Sequence, residues 1–186
     1  MSLHYAPPAR PEDIIHFGTL GMKWGVRNGP PYPLDQHAYS SKSPRIEDGN
    51  SYIYKKGTIV GRFGDYSVND PVYLFTNESD RKVYQKGYGK NEYKFKLVKN
   101  LKIPNVVEAV TQLYNYTKDP EVLNNPYYYW KDTINLGLGG EIHDGFIKYM
   151  KKKGYDGLPD VRNAGSVSED PIYVFQPKKF LKKLKI

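Results

Sequence analysis

Cysteine does not occur anywhere in this chain of 186 residues. Disulfides, thiolate metal sites and cysteine nucleophiles are therefore excluded, although the absence assigns no redox compartment by itself. No apolar run approaches the roughly 18 residues that a membrane-spanning helix needs, so no membrane partner is expected. The first residues show no basic region followed by an apolar stretch, and no secretory signal is expected from them. No serine sits in a Gly-x-Ser-x-Gly turn, so a Ser/His/Asp hydrolase has no case here. The Gly-rich segment 136–140 lacks the Gly-x-x-x-x-Gly-Lys-Ser/Thr pattern and a strong preceding strand, which makes it a poor phosphate loop. Acidic residues are the minority charge, 20 against 28 Lys and Arg, for a formal net charge of +8.

What is present is tyrosine and local positive charge. The hydrophobic fraction of 39% is modest, and 18 Tyr supply apolar area together with a polar tip. Much of the basic excess lies in Lys148, Lys151, Lys152 and Lys153, and in Lys178, Lys179, Lys182, Lys183 and Lys185. Such clusters read as solvated helix ends suited to the helix dipole, or as a surface that gathers nucleic acid or dinucleotides. Tyr88 to Lys96 interleaves aromatics with Lys, as a single-strand nucleic-acid binder does, but the alternation is explained more simply by a strand with one wet face.

Length implies one domain with a tail. Residues 1–50 carry seven of the prolines and little apolar periodicity, so they are expected to form an extended, irregular arm. Inside it His16, Gly18, Gly21, Met22, Lys23, Trp24, Gly25 and Arg27 make a dense island within residues 14–27. This island resembles a His-x-Gly-x-x-Gly-Met-Lys-Trp-Gly-x-Arg motif of tailed-phage structural and morphogenesis proteins. The resemblance implies a phage or prophage origin and a phage particle or other phage structural proteins as partners. The island could equally be a staple, with Phe17, Leu20 and Trp24 as anchors, or a tag for packaging or processing. His16 has no second ligand at useful spacing, so no metal is expected there.

From residue 51 to 186 the pattern is that of a folded α+β domain. Tyr52–Tyr54 and Thr58–Val60 read as one kinked strand or two, Val72–Thr76 and Glu92–Val98 as strands, and Ile172–Phe175 as the last strand. Helices are expected over residues 81–86, 105–117 and 141–152, the first with N-cap candidates in residues 77–80. Residues 100–104 read as a turn. Pro126 is expected to end a short helix, with Tyr127–Trp130 beyond it lining a groove or packing. Residues 160–168 read as a polar loop, and residues 178–185 as a short basic helix. His143, with Glu141 and Asp144, is expected to be a surface cluster and not a metal site.

Three polar residues stand out by position. Arg62 ends an early strand, Thr76 ends the next, and Glu169 directly precedes the last. This order resembles the Arg–Ser/Thr–Glu arrangement of ADP-ribosyltransferases, and more closely that of phage-encoded transferase-like domains. The likeness extends to Tyr155-Asp156-Gly157 after a helix, to the strand-then-helix step over residues 74–84, and to the run from Glu169 through Pro177. It spans roughly residues 52–180 and implies a split antiparallel sheet with flanking helices.

The resemblance further implies NAD as substrate. Arg62 would hold a phosphate or the nicotinamide-side ribose, since a guanidinium fork suits phosphate. Thr76 would help hold strand and cofactor. Glu169 would stabilise the oxocarbenium-like charge that develops as nicotinamide leaves. Tyr73 and Tyr84 are candidates to stack on the nicotinamide ring. Val167 stands where the family's Glu-x-Glu pair has its first carboxylate, and Phe-Thr-Asn stands where it has Ser-Thr-Ser. The acceptor is accordingly open: a host protein or a nucleic acid. Three functions follow, with location in the virion or the host cytoplasm: a phage-associated ADP-ribosyltransferase, an inactive virion structural or cargo protein that keeps the fold, and a toxin of a toxin–antitoxin pair.

Overall fold

A computed structural model describes residues 38–88, 91–134, 140–161 and 168–185. The chain divides after Gln36, and all described residues belong to the second unit. The 14–27 island, Val167 and most of the 136–140 segment lie outside the described residues.

The described fold is mixed α+β, with six helices and three small antiparallel sheets. The first sheet joins β1 (Ile46–Asp48), β2 (Ser51–Tyr54) and β6 (Leu101–Pro104) in that order. The second joins β3 (Ile59–Phe63), β5 (Glu92–Leu97) and β9 (Leu181–Lys183). The third has the order β4 (Val72–Leu74), β8 (Ile172–Val174), β7 (Gly157–Pro159).

Two narrow seams connect the sheets. Gly61 and Phe75 exchange both backbone hydrogen bonds, each 2.9 Å, and tie β3 to β4 at a single bridge. Glycine is required here, because a Cβ on Gly61 would overlap the Tyr39 hydroxyl and the Phe75 ring. The second seam runs where the Asp156 N–H donates to the Lys102 carbonyl, 2.8 Å, between β7's approach and β6.

The helices are α1 (Glu78–Tyr88), α2 (Val106–Thr117), α3 (Glu121–Asn124), α4 (Pro126–Thr133), α5 (Glu141–Lys152) and α6 (Pro177–Phe180). Side-chain caps set the starts of α1 and α2. Asn77 accepts from the Asp80 N–H at 2.8 Å, and Asn105 accepts from the Glu108 N–H at 2.8 Å. One core cluster fills the space between sheets, around Tyr54, Val60, Phe95, Leu97, Leu101 and Ile103. The second lies where α2, α4 and α5 cover β7 and β8, around Leu113, Trp130, Phe146, Met150 and Leu158.

Several elements differ from their sequence pattern. Residues 38–50 belong to the folded unit and not to an arm: β1 pairs with β2, and Arg45 reaches Asp170 at 2.9 Å. Of the two readings left open for residues 52–60, the structure shows two strands, Ser51–Tyr54 and Ile59–Phe63, in different sheets and turned at Gly57 with φ of +96°. Residues 101–104 are a strand because Leu101 and Ile103 both point into the core. Pro126 starts α4 at its first turn, where a missing N–H costs nothing, and carries Trp130 into the core at 1% exposure. The expected C-terminal basic helix stops at Phe180. The chain then becomes β9, because the free edge of β5 pairs with Leu181–Lys183. On α5, His143 is inside and Ile142 half out, the reverse of the expected surface histidine. No helix among the described residues is long and apolar enough to cross a membrane.

Candidate functional site

The site is built where β4 ends, α1 begins and the chain enters β8. Asp80 lies in the first turn of α1, almost fully buried. Its carboxylate accepts the Glu169 N–H at 2.6 Å, the Asp170 N–H at 2.9 Å and the Asn77 side-chain amide at 3.1 Å. Burial pushes the Asp80 carboxyl upward, and these three hydrogen bonds pull against that. The result is a backbone clamp on residues 169 and 170.

Asp170 continues inward from the clamp. Its carboxylate receives the Ser43 hydroxyl, the Arg45 guanidinium at 2.9 Å and the Thr76 hydroxyl at 3.1 Å. The fully buried Tyr54 phenol is raised well above its ordinary ionisation range, by burial first and then by the Asp170 charge. Arg45 also lies 4.0 Å over the Tyr52 ring. Glu169 does the opposite. With its N–H fixed by Asp80, its side chain is turned out to solvent.

The candidate residues fall at different places around this clamp. Thr76 is at 0% exposure, and its hydroxyl donates to Asp170, to the backbone carbonyl and the carboxylate at 3.1 Å each. As placed, Thr76 anchors the segment that carries Glu169 and does not face an open cleft. Tyr84 meets the same segment from α1, its hydroxyl 3.2 Å from the Ser168 hydroxyl. Burial pushes the Tyr84 phenol up to about 12. Its ring belongs to a file of aromatics: Phe63 on Phe75 at 5.5 Å, Phe75 on Tyr84 at 6.1 Å, Tyr84 on Tyr88 at 5.9 Å. Tyr73 packs instead against Tyr173, with centroids 4.4 Å apart.

Arg62 is not drawn into this cluster. It and Thr76 flank the Gly61–Phe75 bridge, but on antiparallel strands they leave it in opposite directions. Arg62 is half-buried, and its Nε donates to the Asp65 carbonyl at 2.9 Å, so it meets that residue's backbone and not its carboxylate. Its two terminal nitrogens make no hydrogen bond among the described residues. Burial lowers its ionisation range, and Asp65 opposes that shift.

Sequence reasoning missed the residues that organise the site: Ser43, Arg45, Asp80 and Asp170. The Asn77-x-x-Asp80 spacing signals a helix start, and Asp170 stands beside the expected Glu169. Nothing local to either residue says that it is buried. Elsewhere, His143 is held between Asp144, at 2.9 Å from Nδ1, and the Tyr173 hydroxyl, at 3.3 Å from Nε2. Among the described residues no three His, Asp or Glu side chains gather as a metal site. Comparison with protein-family models, with curated proteins and with solved structures finds no match to this chain.

Proposed function

We propose that residues 38–185 form an ADP-ribosyltransferase-like domain that uses NAD, with Glu169 as its reacting carboxylate. The observation that carries this reading is the contrast at residues 169 and 170. Both N–H groups are clamped by Asp80, yet Asp170 is buried while Glu169 presents a solvated carboxylate on a fixed backbone. A charged group held in place but open to ligand suits stabilisation of positive charge that develops on a substrate. The single bridge between β3 and β4 supports the split-sheet form of the fold, since a sheet held by one bridge can open a cleft beside it.

In this reading Glu169 accepts a hydrogen bond from the nicotinamide-side ribose. The C1′–N bond breaks, and its electron pair stays with nicotinamide, which leaves as a neutral base. The oxocarbenium-like C1′ is then attacked by an acceptor hydroxyl, amine or water, whose proton passes to solvent or to the carboxylate. Arg62 pairs with the pyrophosphate through its terminal nitrogens. Thr76 and Tyr84 act one step back, holding the 168–170 segment. The acceptor is a host protein or a nucleic acid, and the phage-particle assignment rests on the 14–27 motif alone.

A second reading is a particle protein that keeps the fold without the reaction. The engagement of the Thr76 hydroxyl by Asp170, and of Arg62 by the Asp65 carbonyl, favours it. Release of nicotinamide from NAD separates the two. The expected result is slow turnover by the native chain that falls about 100-fold or more in Glu169→Gln, as loss of one transition-state contact does, with unchanged thermal stability. Turnover equal in the two proteins, or absent from the native chain, supports the silent scaffold.

A further inference from the structure

The far end of β8 from Glu169 carries a second feature. An open groove of about 410 Å³ lies between the 64–71 loop, the end of β8 and the start of α6. Lys151, Lys178 and Lys179 line it from two helices, and Asn69 and Gln176 are also in its lining. All three lysines are exposed. Lys151 lies 5.8 Å from the centre of the Phe175 ring, and Lys179 lies 4.9 Å over Phe180. Aromatic faces thus hold two of the ammonium groups beside the opening. Asp156 lies 3.9 Å from Lys179 across a pair half exposed on the lysine side. Such a pair is screened and weak.

The positive charge continues past the groove. Lys183 on β9 sits 4.5 Å over the Tyr93 ring and 6.0 Å over Tyr66. Tyr66 begins the short run that reaches the groove wall at Val68 and Asn69. Lys183 thus adds positive charge outside the groove lining, next to the loop that forms one wall. We propose that this groove binds single-stranded nucleic acid by its phosphodiester backbone. Exposed ammonium groups lining an open groove suit the phosphates of a single strand. The groove is of the size that takes one nucleotide unit, within the usual range for ligand sites. Asn69 and Gln176 offer both donors and acceptors to a base edge without a fixed preference. Phe175 and Phe180 are buried, so the expected contacts are to phosphate and not by base stacking.

The inference does not depend on NAD chemistry, and its test contains no NAD. Anisotropy of a fluorescent oligothymidylate is titrated with the full chain over a range of salt concentrations. The expected result is binding that weakens with salt, and about tenfold weaker binding in the triple variant K151Q/K178Q/K179Q. The salt slope should fall by about two, since each phosphate contact on a single strand contributes roughly 0.7. The control K42Q/K82Q/K86Q removes the same charge from exposed positions elsewhere and should stay within about twofold of the native chain. Circular dichroism checks that both triples fold. The proposal is overturned if the two triples weaken binding equally, if polyglutamate of matching charge competes as well as unlabelled oligothymidylate, or if the native chain does not bind.

Discussion

Asp170 is a carboxylate at 4% exposure, and an ionised group so placed must be paired. Arg45 supplies the countercharge from a stretch whose prolines and polar residues read as an arm. Arg45→Met should therefore destabilise the fold by about 2–4 kcal/mol in urea titration. That lies somewhat below the range of about 3–5 kcal/mol for breaking a buried pair, because Arg45 itself is 29% exposed. Glu92 makes the complementary case. Burial would raise its carboxyl, but hydrogen bonds from Arg81, at 2.8 to 3.1 Å, and from Tyr39, at 2.8 Å, more than reverse this, and it is lowered below its ordinary 4.5. A lowered carboxylate contributes stability that is present above the unfolded value and lost as pH falls through the folded one. Glu92→Gln should flatten the loss of stability between pH 4.5 and the lower folded range, read as urea midpoint against pH. Asp80 has the opposite sign. Its raised carboxyl favours the fold at low pH, and that contribution is lost as pH rises through the folded value. Asp80→Asn should remove it.

At the scale of elements, α1 is the part that presents Glu169. Its Asn77 cap fixes where the helix starts, and the start puts Asp80 against the two N–H groups that precede β8. Asp80→Ala should expose the amides of Glu169 and Asp170 to fast hydrogen exchange while α5 stays protected. Unchanged protection at 169 and 170 would show that the clamp does not hold the segment. Much of the element plan was legible. The alternation in residues 92–97 became a strand, and the apolar spacing in residues 105–117 became α2. The failures share one physical cause. β6, β9 and α4 are short pieces whose state is set by a distant neighbour: β2 for Leu101–Pro104, the edge of β5 for Leu181–Lys183, and the core around Trp130 for α4. No window of local sequence contains those neighbours. The same holds for the site. The positions of Glu169 and Tyr84 relative to their elements could be read from the sequence, whereas the burial of Thr76 and Asp170 is a property of the assembled sheet.

Across the whole molecule, the described residues place two different features at the two ends of β8. One is an exposed carboxylate on a clamped backbone, and the other is a lysine-lined groove. Arg62 leaves the β3–β4 bridge away from Thr76, so the account requires NAD to span the bridge, with its pyrophosphate near Arg62 and its nicotinamide ribose near Glu169. Amide resonances of the isotope-labelled chain, followed during titration with NAD, test that requirement directly. The account expects Arg62 and Glu169 to shift together, saturably and with one dissociation constant. Shifts confined to Lys151, Lys178 and Lys179, or no saturable shift at Glu169, would contradict it.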